Sequence, residues 1–131
     1  TMRSRSACAA CAVARAAFRP FTRDPLPPEL VASWMEPGLH DDGVKHDLKK
    51  VTLGMHKRYT LEAAEKLRSS DLPLLLTWAP GDRVFPLKFA EKLAAEVPNA
   101  RIVQIPDSRT FVPIDQPQRL ADEIGTFVGT G

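Results

Sequence analysis

One carboxylate in a sharp turn, two thiols and three imidazoles are the side chains here whose type and setting could do chemistry. Asp82 closes the turn Ala79-Pro80-Gly81-Asp82, directly behind an apolar run and shortly before Pro86. A carboxylate so placed can hold and charge-stabilise an imidazolium, as the acid of a nucleophile–base–acid set. It can equally accept from the backbone amides of its own turn. Cys8 and Cys11 have the C-x-x-C spacing of a redox pair or half a zinc site. Zinc needs about four ligands, the next candidate is the distant His40, and no strand precedes the pair, so we expect two incidental thiols. His40, His46 and His56 are scattered. His40 and His46 do not share a helical face at i, i+4, and we expect solvated side chains and no metal site. No Gly-rich phosphate loop occurs, and no cofactor is expected.

The elements that must position these residues divide the chain in three. Residues 24–71 read as helical. Pro27 and Pro28 suit a helix start, where a missing N–H is not missed. Leu30, Val31, Trp34 and Met35 form the first apolar stripe, and Pro37-Gly38 is expected to stop it. Asp41 or Asp42 can cap the next helix, whose Val44, Leu48, Val51 and Met55, at spacings of four, three and four, make a good amphipathic face. Thr60 is expected to cap a third, with Leu61, Ala64 and Leu67 inward. The basic stripe Lys45, Lys49, Lys50, Lys57 and Arg58 is interrupted by Asp41, Asp42 and Asp47, as on a solvated helix face.

Residues 72–131 change character. Leu72 to Trp78 is a nearly continuous apolar run, the pattern of a strand buried on both faces of a parallel sheet. Pro86 opens a helix with Phe89, Ala90, Leu93, Ala94 and Val97 on one side. Ala100 to Ile105 reads as a second strand with Ile102, Val103 and Ile105 buried. Pro117 opens the last helix, whose apolar face is Leu120, Ala121, Ile124, Phe127 and Val128. Strand, helix, strand, helix is a parallel α/β unit. Ligands meet such sheets at the carboxyl ends of the strands, which selects the loops Ala79–Phe85 and Pro106–Asp115.

At these loops the sequence resembles the α/β-hydrolase family. Leu72-Pro73-Leu74-Leu75-Leu76-Thr77-Trp78-Ala79-Pro80-Gly81-Asp82-Arg83-Val84-Phe85-Pro86 is similar to the stretch just after the family's cap, where an apolar strand ends in a turn bearing the triad acid. Asp82 matches that acid. Ala100–Ile105 resembles the family's last strand, Pro106-Asp107-Ser108-Arg109-Thr110-Phe111-Val112-Pro113 the loop of the catalytic histidine, and Asp115-Gln116-Pro117-Gln118-Arg119-Leu120 the start of its closing helix. Residues 24–71 resemble the end of a cap. The resemblance implies the C-terminal part of an α/β-hydrolase fold, a helical cap remnant followed by strand-helix-strand-helix, with position 82 at the rim facing position 110. It implies a parent activity, hydrolysis of an ester-like or related small substrate, using a Ser nucleophile, an oxyanion hole, His as base and Asp82 as acid.

Two departures bear on that implication. No Gly-x-Ser-x-Gly turn is present among the 131 residues. Thr110 stands where the histidine should, and no His follows His56. A Thr hydroxyl has no pKa near neutrality and cannot shuttle the proton. We expect a chain inactive alone, with an incomplete catalytic triad. The rival is a non-catalytic remnant or interaction protein built on the same fold segment.

Composition bounds the rest. The chain is 44% hydrophobic and 26% charged, an ordinary globular mixture with room for one core. Its net charge of +2 is unevenly spread: five of the 18 basic residues and no acid fall in residues 1–23, leaving 13 basic against 16 acidic elsewhere. That distribution argues against a nucleic-acid surface, and no apolar run approaches a membrane span. Residues 1–23 show no helical or strand period. Their Arg, Ser and Ala content matches a mitochondrial targeting peptide and equally a translated GC-rich non-coding stretch, and we expect a disordered or spurious tail. Thiols without a disulfide framework fit a reducing, cytoplasmic setting. The expected partners are a small-molecule substrate in the complete fold and, through an uncovered sheet edge, a second copy of the chain.

Overall fold

A computed structural model describes residues 9–129. The elements run α1 (Ala9–Phe18), α2 (Pro28–His40), α3 (Asp42–Gly54), α4 (Lys57–Arg68), β1 (Leu74–Trp78), α5 (Lys88–Glu96), β2 (Ala100–Gln104), α6 (Val112–Asp115) and α7 (Pro117–Gly129). The fold is mixed helix and strand, compatible with the α/β class. Among the described residues the sheet is a parallel pair, β1 beside β2, with Leu74 opposite Ala100 and Trp78 opposite Gln104. The Leu74 amide donates to Asn99 O at 3.0 Å and the Ile105 amide to Trp78 O at 2.8 Å, closing the ladder at its two ends.

Several local expectations change. The helix begun at Pro28 passes through Pro37 to His40 instead of stopping there. Proline's own φ is helical and it forfeits a single ladder bond, and the Asp41 amide closing on Pro37 O at 2.9 Å completes one more turn. Of the two candidate caps, Asp41 does the work: its Oδ1 accepts from Gly43 N at 2.7 Å and Val44 N at 3.2 Å. α4 starts earlier than Thr60, capped by His56 Nδ1, which accepts from Arg58 N at 3.1 Å. Thr60 lies inside the helix and donates back to Lys57 O at 2.8 Å.

β1 is shorter than Leu72–Trp78 and half-buried throughout, not buried on both faces. Leu72 is exposed. The physical reason is the two-strand sheet: a strand with one neighbour and helices over part of its faces cannot be enclosed. The same lack of cover leaves Phe89 of α5 and Ile124 and Val128 of α7 exposed although they lie on the apolar stripes. Ile102 and Val103 are half-buried, while Ile105 is fully buried.

Residues 1–23 hold the largest difference. Their described part is not a structureless tail. Residues 9–18 form α1, and Ala14 joins Leu26 and Val31 in a buried cluster flanked by Phe18, Leu30 and Met35. The helix rests on the high intrinsic propensity of its alanines rather than on a broad apolar period. A second cluster, Ala79, Ile105 and Val112 with Val103 and Leu120 against it, lies at the carboxyl ends of the strands.

Candidate functional site

β1 ends at Trp78, and the chain turns at once, the Asp82 amide donating to Ala79 O at 3.1 Å. Asp82 Oδ1 then accepts from Val84 N at 2.8 Å and Phe85 N at 3.0 Å. This is the backbone-capping use of a turn aspartate, and it holds the loop in one shape. The far side of the loop is tied by Trp78 Nε1, which donates to Phe85 O at 2.7 Å.

β2 delivers the second loop to the same rim. Ile105 is fully buried, and Ser108, also buried, donates from Oγ to Ile105 O at 2.6 Å, folding the chain back. Thr110 follows, and its Oγ1 donates to Asp82 Oδ1 at 2.9 Å. Positions 82 and 110, 28 residues apart, are therefore in direct contact. Every hydrogen bond that the Asp82 carboxylate makes among the described residues goes to Oδ1.

A cavity of about 190 Å³ opens beside this pair, walled by Trp78, Ala79, Phe85 and Val112 and by Asp82 and Thr110 themselves. It is apolar with one acid–hydroxyl pair at its edge, below the ~300 Å³ at which pockets for drug-sized molecules begin. The pair can orient a group and hold a positive charge. It holds no imidazole, and the Thr110 hydroxyl does not accept a proton near neutrality.

Thr110 is held from both sides by contacts that sequence reasoning missed. The Arg109 amide donates to Asp115 Oδ2 at 2.8 Å, and the Phe111 amide donates to Phe21 O at 2.8 Å. Phe21 and Phe111 stack with centroids 5.4 Å apart, and Phe18 and Trp34 pack against Phe111 at 6.1 and 6.3 Å. The one local signal for Asp115 was its place just ahead of Pro117 at a helix start. Nothing local linked Phe21 to Phe111.

The other candidates lie elsewhere. His40, His46 and His56 are exposed, and among the described residues no group of three or more His, Cys, Asp or Glu is placed to hold a metal ion. Cys8 lies outside the described residues. In the basic stripe, Lys45 pairs with Asp42 at 2.8 Å and Arg58 with Glu62 at 3.5 Å, both at the surface. No helix among the described residues is long and apolar enough to cross a membrane.

No protein-family model matches the chain. It is similar to an uncharacterized hydrolase, YugF, of Bacillus subtilis: 29% identical over 73 residues, which cover 56% of this chain and 26% of the relative. The chain thus spans about a quarter of the length of the curated relative it matches.

Proposed function

We propose that these residues form the C-terminal part of an α/β-hydrolase fold, with Asp82 at the position of the triad acid and Thr110 at that of the histidine. The observation that carries this reading is the Thr110–Asp82 hydrogen bond of 2.9 Å across two strand-end loops. The likeness to a protein named a hydrolase supports it. The parent activity is hydrolysis of an ester-like or related small substrate. An imidazole at 110 would be oriented by Asp82 and would pass a proton between nucleophile and leaving group. With Thr110 there, that shuttle is missing, and the 131 residues carry no Gly-x-Ser-x-Gly nucleophile turn.

The chain by itself is therefore expected to turn over short-chain aryl esters at the background rate. Turnover above background that disappears in Asp82→Ala would overturn the proposed inactivity. The same geometry favours a second reading, a non-catalytic remnant or interaction protein, because the Thr110 hydroxyl satisfies the acid without a base. The two separate on the upstream coding sequence. A Gly-x-Ser-x-Gly segment in any frame ahead of residue 1 favours the hydrolase, and its absence favours the remnant. Among the described residues β1 has a strand on one side alone, and that open edge beside apolar side chains supports self-association of the chain. A sharp, reversible unfolding transition of a monomer at high concentration would count against it.

A further inference from the structure

The loop that presents Thr110 is strapped down by a segment about ninety residues earlier in the chain, and one carboxylate ties the strap. Residues 19–24 run beside residues 107–115. Arg109 Nη1 donates to Arg19 O at 3.0 Å and Thr22 O at 3.1 Å. Arg23 Nη1 pairs with Asp107 Oδ1 at 2.5 Å, although Asp107 itself sits at φ 57°, a conformation uncommon outside glycine. Asp115, the last residue of α6, accepts the Arg23 amide on both oxygens, at 3.0 and 3.1 Å, and the Arg109 amide on Oδ2 at 2.8 Å.

We propose that Asp115 is a positioning residue: by gripping the amides of Arg23 and Arg109 together it locks residues 19–24 onto the loop and holds the Thr110 side chain over Asp82. The inference rests on the reading of positions 82 and 110 as the functional pair. Hydrogen bonds from amides to an ionised carboxylate are stronger than neutral ones, and here both donors belong to backbone outside the strands and helices. The hydrogen bond from the Phe111 amide to Phe21 O and the ring stack then fix the residue on the other side of Thr110. A hydroxyl or imidazole between two anchored neighbours reaches Asp82 without ordering a loose loop first.

The test is site-resolved amide exchange on the whole chain. In Asp115→Ala the Arg23 and Arg109 amides should exchange about tenfold faster, matching loss of a charge-assisted bond. The Ile105 amide, bonded to Trp78 across the strand ends, should keep its rate. Asp115→Asn is the second variant: its one oxygen at the Oδ2 place can still meet both donors, so a gain of about threefold is expected at the same two amides. A uniform increase over all amides, the result of a merely structural loss, would overturn the proposal, as would no change at Arg23 and Arg109.

A second measurement reads the effect on position 110. In Thr110→His the introduced imidazole should titrate above its ordinary value because Asp82 favours its charged form. Adding Asp115→Ala should return it toward that value if the strap positions it, and an unaltered titration would sink the inference. Neither measurement needs turnover, so the positioning role can fail while the hydrolase reading stands. The hydrolase reading fails separately, on the upstream coding sequence.

Discussion

A well-formed amphipathic face is bare, and the segment without a pattern is packed. On α3 and the residue that ends it, Leu48, Val51 and Met55 are 63%, 63% and 75% exposed, and neither α3 nor α4 contains a buried residue. In residues 14–31, by contrast, Ala14, Thr22, Leu26 and Val31 are all buried, and Phe18 and Phe21 join an aromatic group with Trp34 and Phe111. Periodicity states which face of a helix would be buried. It does not supply the surface to bury it against. α3 is held by its Asp41 cap and its contact with α2, whereas residues 19–24 are held by six hydrogen bonds and an ion pair that cross to the Thr110 loop or close within it.

The contrast is broken most forcefully in the core. Ile105→Ala removes a fully buried side chain beneath the site and should cost about 2–5 kcal/mol. Leu48→Ala on α3 should change the free energy of unfolding by no more than about 0.5 kcal/mol. Equal effects of the two substitutions would show that α3 is covered in solution. Thr110→Val keeps the shape of the side chain and deletes its bond to Asp82, with an expected loss near 1.5 kcal/mol in equilibrium unfolding.

Asp41→Ala should remove about 1 kcal/mol of cap energy. Because α3 buries nothing, that loss should be seen as faster amide exchange inside α3 while exchange in β1 and β2 is unaltered. The smallest effect belongs to the surface tie between α4 and α5. Arg68 donates from Nη2 and Nε to Glu96 Oε2 at 2.6 and 2.9 Å. The hydrogen bond from Arg68 holds the Glu96 carboxyl below its ordinary 4.5, against a partial opposing effect of burial. A carboxyl depressed on folding contributes stability that is complete above 4.5 and is lost as pH falls through the lower folded value. Glu96→Gln should flatten that part of the acid side of the stability curve and leave the remainder unchanged, measured by unfolding midpoints across the acid range.

Much of the site was legible locally. The Ala79–Asp82 turn, the strand before it and the helix after it stand where their residue types put them, since turn chemistry, capping and apolar runs act over a few neighbouring residues. Asp41 as cap is of the same kind. The structure departs from the local pattern where a partner outside it decides: α2 runs through Pro37 for one more turn, a ring nitrogen of His56 rather than the Thr60 hydroxyl caps α4, and β1 is half-buried because two strands cannot enclose it.

Sequence by itself determined the order of strand and helix after residue 72, the carboxylate in the turn at 82, the hydroxyl at 110 and the absence of a Gly-x-Ser-x-Gly turn from these 131 residues. Tertiary structure alone decided that Phe21 stacks on Phe111, that Asp115 joins Arg23 to Arg109, and that α3 is left bare. Those contacts span up to 92 residues. Contacts of that range leave no periodic trace because each partner is set by where the chain returns, and a side chain gains or loses its worth only when the surface opposite it is in place.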